Sequence, residues 1–365
     1  MVKLHIVQAE YGDCFILESK VGKDSVNVLI DGGPSQTFEK HLKPTLQRLP
    51  LDGKLDLLVL SHIDNDHIMG LLDLLQEIKI QRETKAKEFI KISNIWHNSF
   101  KNLLLLPEEP VELIANIFGD HNLVGNKEIS KVITVKGFQQ GTDLTKLAES
   151  LDMPINQGFD DVIVVKDKIK SFQLSNVKFL VLGPTRKNLD KLQKEWNAWF
   201  TKKEYTEGIK SQLVQILDKS VPNLASIMFL TEIGNRKVLF SGDGLGQDIV
   251  EILSKNTMLD SSGKFYVDIL KVPHHGSDRN STQEFFDKVI AEYYIISANG
   301  SDDNPSLDTL KWIIESVNPD KRIKKIIITN MTDNVRKVQQ KYDQNKFKYE
   351  IVILKKGSDY VTITL

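Results

Sequence analysis

Four side chains able to bind a metal ion, His62, Asp64, Asp66 and His67, fall within six consecutive residues of the stretch Ser61-His62-Ile63-Asp64-Asn65-Asp66-His67. Imidazole nitrogens and carboxylate oxygens are the common ligands of zinc and of harder divalent ions. At this density they are costly to bury unless a cation compensates them. Three further places repeat the pattern on a smaller scale: Asp31 before Gly32-Gly33, Asp243 between Gly242 and Gly244, and His274-His275 after Pro273. The chemistry open to such a set is metal-assisted hydrolysis, in which a bound divalent ion brings the pKa of a water toward neutrality.

These residues need strand ends to carry them. Leu57-Leu58-Val59-Leu60 runs into the 62–67 loop, Asn27-Val28-Leu29-Ile30 into Asp31, Lys237-Val238-Leu239-Phe240 into Ser241-Gly242-Asp243, and Val267 to Val272 into Pro273-His274-His275. Short apolar runs closed by glycine or proline read as strands ending in turns. In layered α/β proteins, loops at the carboxyl ends of strands gather their side chains into one cleft. One aspartate after one strand is an ordinary turn residue. Four such ends carrying only Asp and His are hard to explain as caps, and they point to a metal site.

The rest of the pattern is mixed. Residues 3–30 read as a meander of strands. Helical spacing marks 36–49, 68–79, 246–254, 282–291 and 307–316. Strands are expected at Phe179–Gly183, Ala225–Leu230, Tyr293–Ile296 and Ile326–Thr329, with a short one at Val162–Val165. The tail predicts a hairpin of Tyr349–Leu354 and Tyr360–Leu365 around Lys356-Gly357-Ser358. Two stretches, 101–176 and 186–219, are less regular, with helix-like patches at Val111–Phe118 and Leu144–Leu151 and a helical reading of 186–219. They are expected to overhang the cleft mouth and decide the substrate, with basic residues from Lys101 and Lys127 to Arg186, Lys202 and Lys203. No repeat or low-complexity linker interrupts the 365 residues, so a single α/β domain, 1–365, with insertions around 101–176 and 186–219 is the simplest organisation.

Composition narrows the function classes. At 41% hydrophobic and 27% charged residues the chain is that of a globular protein, and a net charge of −1 lacks the global basic signature of a nucleic-acid binder. The one cysteine, Cys14, cannot form a disulfide within the chain and sits in the apolar run Cys14-Phe15-Ile16-Leu17, where it reads as a core residue. No window approaches the roughly 18 consecutive apolar residues of a membrane span, and the first residues lack a signal-peptide pattern. A reducing, cytoplasmic setting is the expectation.

The blocks Gly12-Asp13-Cys14-Phe15-Ile16-Leu17, Leu29-Ile30-Asp31-Gly32-Gly33, Leu60 to His67, Asn223-Leu224-Ala225-Ser226, Leu239 to Asp243, and Leu270 to Ser277 occur in this order. In this the chain resembles the metallo-β-lactamase fold hydrolases, and more closely the branch typified by the hydrolase domain of the ComEC competence protein and by phosphorylcholine esterases. The resemblance implies an αββα sandwich with helical insertions and two divalent metal positions. His62, Asp64 and a shared Asp243 would hold the first. Asp66, His67, Asp243 and one of His274 or His275 would hold the second, with His275 favoured because the family turn reads Pro-x-His. The other histidine would face the substrate, so Asp66 and His274 are the expected residues of the reacting centre. Asp31 resembles the family aspartate that orients a ligand histidine.

Two departures stand out. Asp64 occupies a position that is histidine in the commonest version of the fold, which hardens the first site and makes Mn2+ a competitor to Zn2+. A further family histidine falls at Leu182-Gly183-Pro184, where glycine offers no ligand. His97, in Trp96-His97-Asn98-Ser99, follows a strand-like piece and is a candidate for the substrate side; His5, His41 and His121 lack any motif. Asn304 stands where relatives in the branch often carry histidine.

The functional expectation is a metal-dependent hydrolase using a metal-activated hydroxide, most readily a phosphodiesterase or nuclease. It would act as a soluble enzyme or as the effector subunit of a larger assembly. The alternative is a non-catalytic interaction protein with one structural ion, motivated by Gly183. Metal content and turnover separate the two. The acidic first site and missing histidine argue against a β-lactamase.

Overall fold

The computed structural model describes residues 1–98, 129–160, 162–190, 224–317 and 322–365, with 129–139 as backbone. The first part of the chain supplies β1 (Val2–Val7), β2 (Phe15–Val21), β3 (Asp24–Ile30), β4 (Lys54–Leu55), β5 (Leu57–Val59), β6 (Lys91–Ile92) and β7 (Ile95–Trp96). The second supplies β8 (Lys170–Leu174), β9 (Val177–Gly183), β10 (Met228–Ile233), β11 (Arg236–Phe240), β12 (Phe265–Lys271), β13 (Val289–Ile296), β14 (Lys324–Ile328), β15 (Tyr349–Ile353) and β16 (Tyr360–Thr364). Among the described residues these form a six-stranded sheet, β16-β1-β2-β3-β5-β7, and an eight-stranded sheet, β15-β14-β13-β12-β11-β10-β9-β8; β4 and β6 pair apart from both.

Period-two alternation decides which core each side chain enters. Phe15, Leu17, Val28, Ile30, Leu57 and Val59 point into one hydrophobic core, which they share with Phe179, Phe229, Leu239 and Ile269 of the second sheet. Ile16, Leu29 and Leu58 point the other way, onto Phe38, Leu42, Leu71, Leu74 and Ile78 of the covering helices. On the far side, helices Gly246–Lys255, Leu307–Glu315 and Asp333–Lys341 lay Ile249, Ile252, Leu253, Leu310, Ile313, Val335 and Val338 on the eight-stranded sheet at helical spacing. The result is helix, sheet, sheet, helix, as expected.

From β11 to β15 every neighbouring pair is parallel, as are β3–β5 and β5–β7. The carboxyl ends of β3, β5, β11 and β12 carry Asp31, His62, Asp243 and His274-His275 respectively.

Several sequence expectations change. Tyr349–Ile353 and Tyr360–Thr364 are strands, but they do not form a hairpin. The first is the edge of the eight-stranded sheet beside β14, and the second crosses to the six-stranded sheet beside β1. Val162–Val165 contributes an isolated bridge, Val165 to Thr185, and no strand. Helices Asp333–Lys341 and Gln344–Phe347, which carry few apolar residues, add to the elements expected from sequence. Lys170–Leu174, near the end of the 101–176 stretch, is a sheet edge, and helix Ile129–Ser150 packs against helix Asn65–Glu83. Val111–Phe118 and residues 191–219 lie outside the described residues. No helix among the described residues is long and apolar enough to cross a membrane.

Helix Asn65–Glu83 starts earlier than the 68–79 that periodicity predicts, because its first turn is polar. Two glycines allow it to dock: Gly32 N donates to His67 O at 2.7 Å and Gly70 N to Gly33 O at 3.1 Å. A Cβ on Gly70 would land well inside contact distance of the Gly32 carbonyl oxygen, and one on Gly32 would meet the Leu71 backbone nitrogen. Gly70→Ala is therefore expected to cost about 1–3 kcal/mol, read as a lower urea midpoint of the metal-free protein. An unchanged midpoint would show that the helix can slide freely.

Candidate metal centre

The parallel pairing of Ile30 with Val59 sets Asp31 beside Ser61. Asp31 adopts φ 56°, a left-handed conformation that aspartate tolerates better than most residues. Its carboxylate accepts from Ser61 N at 2.7 Å, from Ser61 Oγ at 2.7 Å and from His67 Nδ1 at 2.9 Å. With its proton given to Asp31, Ser61 Oγ accepts from His62 Nδ1 at 3.0 Å. The expected orienting role of Asp31 thus has a geometric basis for His67 directly and for His62 through Ser61.

The other two histidines are held the same way. His275 Nδ1 donates to Ser297 O at 2.9 Å. His274 Nδ1 lies 2.7 Å from Asn280 Oδ1, and Asn280 Nδ2 donates to Asp243 O at 2.8 Å, which fixes the amide with its oxygen toward the ring. With Nδ1 engaged as donor in all four rings, each presents a lone pair at Nε2. The four Nε2 atoms converge on one oxygen, Asp243 Oδ2, at 3.6 Å (His62), 3.5 Å (His67), 3.6 Å (His274) and 3.5 Å (His275).

The carboxylates of the loop complete the set. Asp64 Oδ2 is 3.5 Å from His62 Nε2, and Asp66 Oδ2 is 3.6 Å from His67 Nε2 and 3.1 Å from His275 Nε2. Asp64 occupies the N-cap position of the following helix, yet its side chain makes no cap hydrogen bond. A residue of the preferred capping type has been turned to another use.

Separations of 3.5–3.6 Å are long for hydrogen bonds. They match donors that share an ion: ligands at about 2.1 Å in tetrahedral array stand about 3.4 Å apart. Among the described residues, the buried Nε2 atoms of His62, His67 and His275 have no hydrogen-bond partner. Three orphaned ring nitrogens facing one carboxylate oxygen are expensive without a cation and natural with one, so the residues fit a divalent metal.

Electrostatics agree. Burial would raise the Asp243 carboxyl, but His275, His274, His67 and Lys271 outweigh it and hold the group well below the usual carboxylate range. Burial likewise opposes ionisation of Asp66, and His67 and His275 overcome it. Conversely, burial disfavours charge on His67 and His275, but Asp243 and its neighbouring carboxylates raise both well above an ordinary histidine. The potential at the centre is strongly negative.

Gly183 does lack a ligand, and the space is closed. Met228 lies over Gly183 so tightly that a Cβ there would collide with its Cε. His97 is 3% exposed, with its backbone locked to Asn156 by reciprocal 2.8 Å hydrogen bonds. Its ring sits beside Ile63 and Gly141, at the wall of the loop. Cys14 is fully buried, and burial with Asp31 and Asp13 pushes its thiol up, as suits an inert core residue. His5 contacts Thr362 and Glu18, and His41 contacts Asp359; His121 lies outside the described residues. Of the basic residues expected at the cleft mouth, Lys101, Lys127, Lys202 and Lys203 lie outside them too, and Lys187 pairs with Glu251.

Two residues to which the sequence reading gave no role stand against the centre. Lys271, 1% exposed, ion-pairs with Asp13 and with Asp243 Oδ1 at 3.3 Å. Asp13 groups with His67, Asp243 and His275, their donor atoms within 4.8 Å of one another. Its Oδ2 is taken by Lys271 and its Oδ1 lies 3.4 Å from His275 Nδ1, the ring edge turned away from Asp243 Oδ2, so it backs the ligands. The available signal was a charged residue inside an otherwise apolar run, Ile269-Leu270-Lys271-Val272.

Three solved structures can be set beside this fold. The metallo-beta-lactamase fold protein YhfI from Bacillus subtilis is 10% identical, with 100% of both chains covered and a TM-score of 0.40. A diphosphatase from the PhnP family is 10% identical, covering 100% of this chain and 98% of its own, with a TM-score of 0.38. Zinc-bound PqqB from Methylobacterium extorquens is 8% identical, with 100% of both chains covered and a TM-score of 0.40. No curated protein matches the chain. Residues 8–147 match the model of the Metallo-beta-lactamase superfamily. That span holds Asp13, Asp31 and the entire 62–67 loop.

Proposed function

We propose that this protein is a two-metal hydrolase acting on phosphodiesters, with nucleic acid as the substrate class to test first. The observation that carries the reading is the convergence of four imidazole Nε2 atoms on Asp243 Oδ2, each ring fixed at Nδ1. We assign His62, Asp64, Asp243 and His274 to the first ion and Asp66, His67, Asp243 and His275 to the second. His274 then supplies the donor that Gly183 lacks. The sequence reading had placed His274 on the substrate side; its equal reach to Asp243 Oδ2 favours both histidines as ligands.

Charge supports two ions. Asp13, Asp31, Asp64, Asp66 and Asp243 surround one ammonium, Lys271, and the excess negative charge matches two divalent cations. The donor set is rich in carboxylate, which suits Mn2+ as well as Zn2+. When bound, such ions polarise a phosphoryl oxygen and supply a hydroxide near neutral pH. The chain's own part is orientation. Asp31 and Ser61 fix His62 and His67, Asn280 fixes His274, and the partly exposed side chains of Asp64 and His274, at 34% and 30%, mark the open side where an anionic group would enter. The phosphodiester assignment rests on this donor set and on the ComEC-like and phosphorylcholine-esterase-like motif order. Action as the effector subunit of a larger assembly and a cytoplasmic setting belong to the same reading.

The test is metal analysis with an activity screen on bis-p-nitrophenyl phosphate, single- and double-stranded DNA, and RNA, each with Zn2+ or Mn2+. Two ions per chain and turnover of at least one substrate are expected. Asp66→Ala should lower turnover by about a hundred-fold or more, since even outer partners of ligands are worth about 10–100-fold. One tightly held ion and no turnover would instead make this an interaction protein with a structural metal.

His97 belongs to the wall of the centre in this reading. Burial lowers its pKa to about 4, against an opposing pull from the Gly141 backbone. The unfolded chain takes up a proton near 6.5 and the folded one near 4, so stability falls as pH drops through that window. Metal-free His97→Gln should lose less stability than wild type between pH 6.5 and 4, by up to about 3 kcal/mol, in paired urea titrations. Parallel loss in both would remove His97 from this role.

A further inference from the structure

Lys271 closes β12 and lies 1% exposed among the groups of the centre. Burying an ammonium is tolerated only where its donors are all met. Here carbonyl and carboxylate oxygens surround it: Lys271 Nζ donates to Gly242 O at 2.8 Å and to Asp243 Oδ1 at 3.3 Å, and ion-pairs with Asp13 Oδ2. Asp13 is itself fully buried, and its other oxygen lies 3.4 Å from His275 Nδ1. The two oxygens of Asp243 are thereby divided. Oδ1 belongs to the lysine, and Oδ2 alone faces the four imidazoles at 3.5–3.6 Å.

We infer that Lys271, anchored by Asp13, is a positioning residue that keeps Asp243 from turning both oxygens to one ion and so makes a single oxygen, Oδ2, serve both metal positions. The inference rests on the two-metal reading above. A carboxylate released from Lys271 can offer both oxygens to one ion and leave the other short of a donor. The lysine thus sets the occupancy of the pair although it touches neither the ions nor a substrate.

Charge and position predict opposite signs. Removing a cation beside a metal ligand should tighten the binding of divalent ions if Lys271 acts only through its charge. If it acts by holding Oδ1, its removal should weaken the second ion by about 10–100-fold, the usual range for the loss of a ligand's supporting partner. The experiment titrates metal-free wild type, Lys271→Met, Lys271→Arg and Asp13→Asn with Mn2+, reading free ion by electron paramagnetic resonance and the paired ions by their exchange-coupled signal. We expect two ions in wild type. Lys271→Met should keep one and lose the coupled signal. Lys271→Arg should fail to restore it, because the planar fork cannot take the place of the ammonium. Asp13→Asn should also weaken the second ion, but the loss of its negative charge predicts the same sign, so Lys271→Arg, which keeps the cation, carries the test if Lys271→Met does not fold, as judged by circular dichroism. Wild type with two ions and variants that bind both as tightly or more tightly overturns the positioning role alone. Wild type that never takes up a second ion overturns the two-metal reading and this inference with it.

Discussion

The geometry of the centre hangs on one oxygen atom, Asp243 Oδ2. Four imidazole nitrogens and, through them, the carboxylates of Asp64 and Asp66 are arranged around it at spacings that suit shared cations rather than hydrogen bonds. Nearly everything else at the strand ends serves to keep that oxygen and those nitrogens in place. Ser61, Asp31, Asn280 and the Ser297 carbonyl take the far edges of the rings, and a buried lysine takes the far oxygen of the carboxylate. Such a cluster has too much negative potential to stand alone in an apolar interior, which is why His67 and His275 hold protons so strongly in the metal-free protein.

Much of this was legible because the chemistry sits where strands end. Apolar runs stopped by Gly or Pro before Asp and His located Asp31, the 62–67 loop, Asp243 and the histidine pair, and parallel pairing brought those ends together. Residue type alone could not tell which atom of each ring faces inward, since that depends on how the fold orients Ser61, Asn280 and the Ser297 carbonyl against the rings. Lys271 and Asp13 were invisible for a related reason. A lysine at a strand end reads as a solvated residue until a buried aspartate from the β1–β2 turn is placed against it. The closure of Gly183 by Met228 is likewise a tertiary fact about two neighbouring strands, β9 and β10.

Local rules give way at the centre and hold elsewhere. Thr282, Ser306, Thr332 and Asp343 cap their helices with side-chain hydrogen bonds, as sequence would suggest. Asp64, in the same position on helix Asn65–Glu83, does not. His274 and His275 both take left-handed backbone angles, φ 47° and 53°, at a cost of about 1–2 kcal/mol each. These departures cluster where side chains must be aimed at the centre.

The crossing from β15 to β16 bears on how the molecule is made. Tyr360–Thr364 pairs with Lys3–Val7, so the six-stranded sheet gains this edge only after residues 8–359 have been made. The eight-stranded sheet receives its own edge, Tyr349–Ile353, scarcely earlier. Contacts between residues this far apart in sequence slow folding because the intervening chain must be closed first. The nascent chain therefore exposes the 62–67 loop, rich in metal-binding groups, long before Asp243 and the histidine pair exist to share an ion with it. A metal shared between the loop and those later residues would therefore be acquired late, coupled to completion of the sandwich.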